Sequence, residues 1–312
     1  MLDRLNGFID KAVESSLPVL NSIVSEHIRR RGKQIRPLIV VLSAELLSGK
    51  VSDDVLHAGA SLEILHNASL VHDDVIDHAD MRRGMPSINA VWNNHIAVLA
   101  GDYLVSRALD EALLAGSVGS AKILSRLARV LSEGELHQIF VARDRDFSIK
   151  EYFRTVEMKT AMLFECCVSM AAEAARLSSE YASALVQYAR YLGLCFQIRD
   201  DMFDYEGGDD PGKPTGNDLR ESKVTLPLLH ALRVAPKQEA DDMKAIIDSG
   251  ELSESQIAML IDFAKRYGGL EYCESIMERL RVKAMRYLNR YDDCVARRDF
   301  ENLFSFVMKR SR

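Results

Sequence analysis

The sequence predicts an all-α protein in which residues 1–312 form a single helical domain. Apolar residues recur at helical spacing along almost the whole chain. Only 17 Gly and 7 Pro occur among the 312 residues. The sequence has no alternating runs of β-branched residues bounded by turn signals, so it predicts no strands. No stretch has the composition of an interdomain linker. We therefore expect one core, although the chain is longer than most single domains.

Helical periodicity and capping residues set the predicted helix boundaries. Two helices begin with the pattern of a capping box, Ser148-x-x-Glu151 and Ser253-x-x-Gln256, in which side chains and backbone N–H groups bond reciprocally. The predicted helices are 3–28, 36–48, 53–77, 90–115, 119–142, 149–176, 180–205, 218–234, 238–248, 254–267, 270–290 and 298–309.

Two segments, 78–89 and 206–217, are predicted to be loops, and the second is rich in Gly, Pro and Asp. Each begins directly after a cluster of aspartates. Loops that follow fixed groups at helix ends can close over a ligand, so this placement indicates lids at a binding site.

Composition excludes several classes of protein. The formal charge of −6 argues against a nucleic-acid binder, which is normally basic. Five cysteines without metal-ligand spacing, in a chain without a secretion signal, predict reduced thiols and a cytoplasmic protein. No stretch reaches the roughly 18–20 apolar residues that span a bilayer, so membrane insertion is not expected, and peripheral association with a membrane stays open.

An acidic pattern that occurs twice indicates the chemistry. The two copies are Asp73-Asp74-x-x-Asp77 and Asp200-Asp201-x-x-Asp204. On a helix, aspartates four apart share a face, and three carboxylates crowded in this way repel one another. Hard divalent cations relieve that repulsion, and Mg²⁺ commonly shares its coordination with phosphate oxygens. The pair of clusters therefore predicts a magnesium-dependent site for a diphosphate ligand.

Basic residues accompany the first cluster. Lys33 and Arg36 precede Pro37 at a predicted helix start, where two cations and a helix N-terminus suit a diphosphate, although a solvated basic patch is the alternative. Arg82 and Arg83 follow the cluster and suit bidentate binding of phosphate, or neutralisation of the nearby aspartates.

His66 lies two helical turns before Asp73, on nearly the same face. It is interpreted either as a packing residue or as a contact to phosphate. His72 lies next to the cluster but points elsewhere, and it is left without a role.

A second group of polar residues accompanies the second cluster. Lys159 and Thr160 interrupt an apolar helix, and a threonine that bonds back to a carbonyl is expected to bend it and direct dipoles into a cavity. Gln197 shares a face with the cluster, while Lys213 in the loop and Lys223 in the following helix add positive charge.

In this order, the motifs GKxxRP, DDxxD with RRG, KT, and QxxDDxxD with GK resemble those of trans-polyprenyl diphosphate synthases, in particular long-chain enzymes of the octaprenyl diphosphate synthase kind. The resemblance covers roughly residues 30–230. It implies a helical bundle around a deep central cavity, the isoprenoid synthase-like fold. It also implies a homodimeric transferase that condenses isopentenyl diphosphate with an allylic diphosphate, farnesyl or geranylgeranyl diphosphate.

The resemblance further implies a role for each motif residue. Two to three Mg²⁺ ions would be held by Asp73, Asp74, Asp77, Asp200, Asp201 and Asp204. Isopentenyl diphosphate would be held by Lys33, Arg36, His66 and Arg83. The allylic substrate would be served by Arg82, Lys159, Thr160, Gln197, Lys213 and Lys223. No protein base is evident, so the departing pyrophosphate is expected to accept the proton.

Ala68 and Ser69 bear on product length. They lie five and four residues before Asp73, roughly 6–7 Å deeper along the helix, where large aromatics would close the cavity. Small residues leave it open, which predicts a long product of about C30–C40. A bulky residue of segment 90–140, with Tyr103 and Phe140 as candidates, is expected to end growth.

Three other functions share part of this pattern. A short-chain farnesyl or geranylgeranyl diphosphate synthase would share every motif except the open cavity. A terpene cyclase has no use for an isopentenyl site, so Lys33, Arg36 and His66 argue against it. A non-catalytic synthase subunit would lack one or both aspartate clusters, and both are intact.

Overall fold

The chain is almost wholly helical, which confirms the predicted all-α class. The computed structural model describes residues 1–29, 32–82, 84–206 and 215–310, and these ranges contain sixteen α-helices and one π-helical segment. The α-helices are α1 Leu2–Ala12, α2 Pro18–Arg29, α3 Ile35–Ser48, α4 Asp53–Ile76, α5 Ile88–Val91, α6 Asn94–Leu114, α7 Val118–Arg143, α8 Ile149–Val156, α9 Met162–Ala174, α10 Ser179–Glu206, α11 Asn217–Arg220, α12 Leu226–Val234, α13 Lys237–Asp248, α14 Glu254–Arg266, α15 Gly269–Leu288 and α16 Val295–Lys309.

The first of two compact units contains the helix that carries the first aspartate cluster. This unit comprises Met1–Arg129, Leu163–Val186 and Tyr291–Arg297. Helix α4 is its central element, because α1, α3 and α6 all pack against it. Nearly every residue of α4 from Val55 to Ala68 is buried, as expected of a helix that is surrounded by other helices.

The second unit comprises Val130–Met162, Gln187–Arg290 and Arg298–Arg312. Its apolar core includes side chains from α12, α13 and α14, together with Tyr205 of α10. Most of α10 within this unit is buried. The hydroxyl of its Tyr188 donates a hydrogen bond of 2.6 Å to the carbonyl of Phe300. The second aspartate cluster therefore lies on a helix that is fixed by its surroundings.

Several predicted helices are broken in the structure. The helix predicted for 3–28 is two helices, because the chain turns before Pro18 and Asn21 holds the turn through two hydrogen bonds to the backbone of Ser15. The helix predicted for 90–115 is interrupted at Trp92, and Asn93 caps the new start by accepting from the backbone N–H of Ile96. Single polar residues within an apolar pattern gave no warning of these breaks.

The prediction that 218–234 forms one helix is also wrong. This segment contains the short α11 and the longer α12, with Pro227 in the first turn of α12. Lys223 was expected in a helix and instead lies in the turn between the two.

The loop predicted for 78–89 contains two strands that the sequence did not predict. Met81–Arg82 pairs antiparallel with Met85–Pro86, and Gly84 in the turn has a φ of 75°. Two residues per strand are too few to produce a recognisable alternation, so the pattern could not reveal them.

The two predicted capping boxes had different outcomes. At Ser253 the box is present, with both reciprocal hydrogen bonds to Gln256. At Ser148 the hydroxyl accepts from the backbone N–H of Lys150 and no box forms. Glu151 instead lies 3.1 Å from the ring of His137, so its carboxylate is not available to the helix start.

All five cysteines are free thiols, as the sequence predicts. Within the described ranges, no helix is both long and apolar enough to cross a membrane.

Candidate active site

The first aspartate cluster lies at the carboxyl end of α4, which finishes at Ile76 with Asp77 as its C-cap. Asp74 is only 1% exposed. Its Oδ1 accepts a hydrogen bond of 2.7 Å from Nε of Arg82 and a second, short one from Nη2 of the same guanidinium. The strand pair after α4 thus returns Arg82 to the helix end and supplies Asp74 with a charged partner.

The second oxygen of Asp74 has a different environment. Oδ2 is buried and has no hydrogen-bond partner among the described residues. Burial raises the pKa of the Asp74 carboxyl above its ordinary value, against the opposing effect of Arg82. Buried polar atoms are normally satisfied, so an unpartnered carboxylate oxygen next to a charged pair indicates a place for a further cation.

The other predicted residues of this helix lie along its buried length. His66 and Ala68 are buried, and Ser69 is half-buried with its hydroxyl donating to the carbonyl of His66 at 2.9 Å. Asp73 and Asp77 are partly exposed.

His72 is turned away from the cluster, as the sequence indicated. Its Nε2 lies 3.3 Å from the carbonyl of Val98 on α6.

The GKxxRP motif forms the start of α3. Lys33 is exposed ahead of the helix, and Gln34 is the N-cap residue with a φ of 48°. Arg36 lies in the first turn, half-buried, with its guanidinium carbon 5.8 Å from the centre of the Phe164 ring. The motif therefore begins a helix as predicted. Arg83, which was assigned with these residues, lies outside the described residues.

The second aspartate cluster lies in the last two turns of α10, and Asp201 is its most buried member. Asp201 is 4% exposed. The hydroxyl of Tyr152 donates to its Oδ2 at 2.5 Å, and Nε2 of Gln197 donates to its Oδ1 at 2.8 Å. Thr160 donates to Oε1 of Gln197 at 2.7 Å. This last bond fixes the orientation of the amide, so that its NH₂ group faces the carboxylate.

The prediction that Thr160 bonds back to a carbonyl of its own helix is wrong, because its hydroxyl donates to Gln197. The helix is nevertheless distorted at Lys159 and Thr160, where Glu157–Ala161 is a π-helical segment. Such segments insert one residue into an α-helix and occur frequently at functional sites. Here the segment presents the Thr160 hydroxyl to α10. The ammonium group of Lys159 donates to Oε1 of Gln138 at 2.5 Å and forms an ion pair with Glu135, both on α7. In this structure the ammonium group of Lys159 therefore interacts with side chains of α7.

Protonation distinguishes Asp201 from an ordinary carboxylate. Burial raises the pKa of Asp201 to about 7, although the hydrogen bonds from Tyr152 and Gln197 act in the opposite direction. Burial also raises the pKa of Tyr152 well above its ordinary value. Tyr152 thus keeps its proton and remains a donor to Asp201 at any physiological pH.

Asp204 connects the cluster to the segment after the second loop. Its Oδ2 accepts from the backbone N–H of Asp218 at 2.7 Å, and its carbonyl accepts from the backbone N–H of Gly216 at 3.1 Å. The carboxyl of Asp218 is itself surrounded by charge, and burial raises its pKa well above the ordinary value. Lys223 lies 2.7 Å from Glu221, while Lys213 lies outside the described residues.

Asp200, the remaining aspartate, is paired with Arg310. Nη2 of Arg310 lies 2.6 Å from Oδ1 of Asp200. Sequence reasoning missed both Arg310 and Tyr152. Neither belongs to a motif, and each reaches α10 from a distant part of the chain, so no local pattern could have identified them.

The donor chemistry of both clusters fits Mg²⁺. Within residues 1–29, 32–82, 84–206 and 215–310, no three His, Cys, Asp or Glu side chains are arranged to hold a metal ion. The carboxylates are directed instead at arginines and at neutral donors. Oxygen ligands in adjacent turns, with the unpartnered Oδ2 of Asp74, are nevertheless what a hard cation requires.

Comparison with known proteins identifies the family. The family model for "Polyprenyl synthetase" matches residues 17–263. The octaprenyl diphosphate synthase of Haemophilus influenzae is 37% identical over 289 residues, covering 91% of this chain and 85% of that protein.

Two solved structures extend the comparison. A decaprenyl diphosphate synthase from Rhodobacter capsulatus is 30% identical with a TM-score of 0.93, covering 100% of this chain and 96% of that one. A geranylgeranyl pyrophosphate synthase from Bacteroides thetaiotaomicron is 35% identical with a TM-score of 0.86, covering 99% and 95%. The protein therefore has the all-α isoprenoid synthase fold, belongs to the polyprenyl synthetase family and is a prenyltransferase.

Proposed function

We propose that this chain, acting as one catalytic domain, condenses isopentenyl diphosphate with farnesyl or geranylgeranyl diphosphate to give a long all-trans polyprenyl diphosphate. The observation that carries the proposal is the pair of intact aspartate clusters, each supplied with its own donors, in a member of this family. The reaction breaks the allylic C1–O bond, joins C1 to the isopentenyl double bond and releases a proton. The pyrophosphate that leaves is the proposed proton acceptor.

The six aspartates are the residues that would hold two to three Mg²⁺ ions, in keeping with the general Mg²⁺ dependence of the family. When bound, Mg²⁺ would offset the negative charge of the leaving pyrophosphate. Asp74 supports this role through its unpartnered Oδ2, and Asp201 through the two donors that fix its carboxylate.

The two substrates are assigned to separate sets of residues. Isopentenyl diphosphate is assigned to Lys33, Arg36, His66 and Arg83. The allylic substrate is assigned to Arg82, Lys159, Thr160, Gln197, Lys213 and Lys223. The polar groups of the π-helical segment and the Gln197 amide would stabilise positive charge at C1, because dipoles fixed in a buried site need no reorganisation during the reaction.

The small residues Ala68 and Ser69 on α4 support a long product of about C30–C40. Ala68 is fully buried, and Ser69 is half-buried with a hydroxyl bonded to its own helix, so neither places a bulky group beside α4. Of the two candidates for ending growth, Phe140 is exposed, and the hydroxyl of Tyr103 donates to the carbonyl of Glu14 at 2.8 Å. We expect Ser69→Phe to shorten the product, and an unchanged length would contradict this assignment.

Assembly as a homodimer is part of the proposal. Helix α6 exposes large apolar side chains along its length, including Val98, Leu99, Leu109 and Leu113. Several large apolar side chains exposed on one helix are typical of an interface. Sedimentation of the purified protein would test the dimer.

The free thiols are consistent with a cytoplasmic enzyme.

The function is tested by incubating the purified protein with farnesyl diphosphate, labelled isopentenyl diphosphate and Mg²⁺, with and without EDTA. We expect a metal-dependent ladder of products ending near C30–C40. A single short product would retain the reaction and refute the assignment of length. Consumption of the allylic substrate without isopentenyl diphosphate would indicate a cyclase. No incorporation by the purified chain would overturn the proposal.

A further inference from the structure

The end of α16 places a buried arginine against the second aspartate cluster. The side chain of Arg310 is only 4% exposed. Its Nη2 contacts Oδ1 of Asp200 at 2.6 Å and donates to the carbonyl of Phe196 at 2.8 Å. The guanidinium carbon lies 3.8 Å from the centre of the Phe196 ring and 5.5 Å from that of Phe203. The guanidinium is therefore held on an aromatic surface of α10.

The backbone of Arg310 is anchored as well. Nε of Arg199 donates to the carbonyl of Arg310 at 3.1 Å. Arg199 is in turn paired with Glu206 and lies over the Phe203 ring at 4.6 Å. Side chain and main chain of Arg310 are thus both attached to the last three turns of α10. These contacts do not involve Asp200, so they hold the arginine in place independently of the ion pair.

The two partners of this ion pair differ in burial, and the difference shows which one positions the other. The Asp200 side chain is 37% exposed, so water can solvate it without help. A guanidinium that is almost fully buried is costly unless it is paired. Solvation therefore does not hold Asp200 in place, whereas the fixed arginine does.

The charge of Arg310 also matters to the cluster as a whole. Asp200, Asp201 and Asp204 lie within five consecutive residues of α10, where like charges repel. Arg310 brings a full positive charge to this cluster through Asp200, whereas Asp201 receives neutral donors. Arg310 lies beyond residues 17–263, which the family model matches.

We propose that Arg310 is a positioning residue, which holds Asp200 in the orientation needed for Mg²⁺ and the allylic diphosphate. The inference rests on the proposed function for the identity of that ligand. The end of α16 thus takes part in binding Mg²⁺ and the allylic diphosphate, a role that no sequence motif indicates.

The test compares Arg310→Met, which keeps an unbranched apolar stem and removes the charged guanidinium, with Lys309→Met. Lys309 is the exposed neighbour, so its variant removes the same charge one residue away. We expect Arg310→Met to raise the half-saturating Mg²⁺ concentration and the KM for farnesyl diphosphate about tenfold, the usual loss for a hydrogen bond to a charged group. The kcat at saturation should stay within about threefold of wild type, and Lys309→Met should match wild type.

A measurement without turnover accompanies the kinetics. Inorganic pyrophosphate with MgCl₂ should raise the melting temperature of the wild type and of Lys309→Met, and raise that of Arg310→Met much less. If pyrophosphate with MgCl₂ raises the melting temperature of Arg310→Met as much as that of wild type, the proposal is overturned. A stronger response would show that Arg310 competes with the metal, which also overturns it.

A second variant covers the case in which Arg310→Met does not fold. Arg310→Lys keeps the charge and loses the planar fork, so it should lie between Arg310→Met and wild type. A lysine variant identical to wild type in Mg²⁺ dependence, combined with a methionine variant that does not fold, would show a purely structural role. If the wild type does not elongate prenyl chains, the proposed function fails, and the melting experiment with pyrophosphate still decides the role of Arg310.

Discussion

The two aspartate clusters share one pattern and have different environments. Both lie at the carboxyl ends of helices, where the helix dipole disfavours negative charge. In the first, the buried Asp74 receives the guanidinium of Arg82 from a nearby part of the chain. In the second, the buried Asp201 receives a hydroxyl from Tyr152 and an amide from Gln197.

The difference shows that a motif specifies carboxylates but not their protonation. A guanidinium brings a full positive charge, whereas a hydroxyl and an amide bring only dipoles. Burial raises the pKa of both Asp74 and Asp201, and that of Asp201 reaches about 7. In the absence of a cation, Asp201 therefore titrates near neutral pH, and cation binding and proton release are coupled there.

The largest expected effect comes from replacing each buried carboxylate with its amide, in Asp74→Asn and Asp201→Asn. Both should lower kcat by about a hundredfold or more, because each removes a carboxylate that would hold Mg²⁺ at the leaving diphosphate. Their metal-free stabilities should differ in size. At pH 8 in EDTA, Asp201→Asn should raise the melting temperature by about 2–4 °C, and Asp74→Asn should raise it less.

The direction follows from linkage, because burial raises the pKa of both carboxyls. Asp74→Asn also leaves the partly exposed Arg82 without its charged partner, which offsets part of the gain. The raised pKa of Asp201 means that the folded chain binds this proton more tightly than the unfolded chain. Its carboxylate therefore destabilises the fold above about pH 7, and the effect disappears as the pH falls toward the ordinary value of the pKa. Equal rises in melting temperature would show that the two environments are equivalent.

An intermediate effect is expected from Tyr152→Phe, which removes one donor to Asp201. We expect kcat/KM to fall about tenfold, the usual loss for a hydrogen bond to a charged group. The hydrogen bond from Tyr152 lowers the pKa of Asp201, so its removal should move the acid limb of the pH–rate profile to higher pH. The profile of kcat/KM from pH 5 to 9 is the measurement.

Tyr188→Phe is the matched control. It removes the hydroxyl of another buried tyrosine, which donates to the carbonyl of Phe300 and not to a carboxylate. Both variants should lose a similar free energy of unfolding, and only Tyr152→Phe should move the acid limb. If the acid limb of the kcat/KM profile of Tyr152→Phe lies at the same pH as in wild type, the neutral donors do not set the protonation of Asp201.

The smallest effect is expected from Thr160→Val, which acts on Asp201 through Gln197. Without the Thr160 hydroxyl the Gln197 amide can rotate, and its hydrogen bond to Asp201 weakens. We expect a loss of roughly threefold to tenfold in kcat/KM, from one net hydrogen bond. Steady-state kinetics with farnesyl diphosphate measure this loss.

Two further variants make this result specific. Thr160→Ser keeps the hydroxyl and should restore most of the activity. Thr155→Val makes the same change at another buried threonine of the second unit and should have little effect on kcat/KM. Equal losses in Thr160→Val and Thr155→Val would mean that packing, and not the orientation of Gln197, explains the result.

Local signals predicted much of the fold and part of the site. The apolar periodicity of α4 and α10 and the capping residue Ser253 depend on neighbouring residues, and these predictions hold. Most of the Gly- and Pro-rich loop predicted for 206–217 lies outside the described residues. The odd position of Lys159 and Thr160 in an apolar helix correctly indicated a distortion, which is π-helical. The helix breaks before Pro18 and at Trp92 were missed, because short polar interruptions also occur within continuous helices.

The sequence by itself determined the all-α class, the positions of the six aspartates on their helices and the membership of this family. Only the tertiary structure decided which groups meet those aspartates. Arg82 reaches Asp74 through a strand pair too short to recognise, while Tyr152 and Arg310 reach α10 from distant parts of the chain. Periodicity reports contacts within a helix, but the donors that set the charge of a buried carboxylate are chosen by the packing of helices that the chain brings together only on folding.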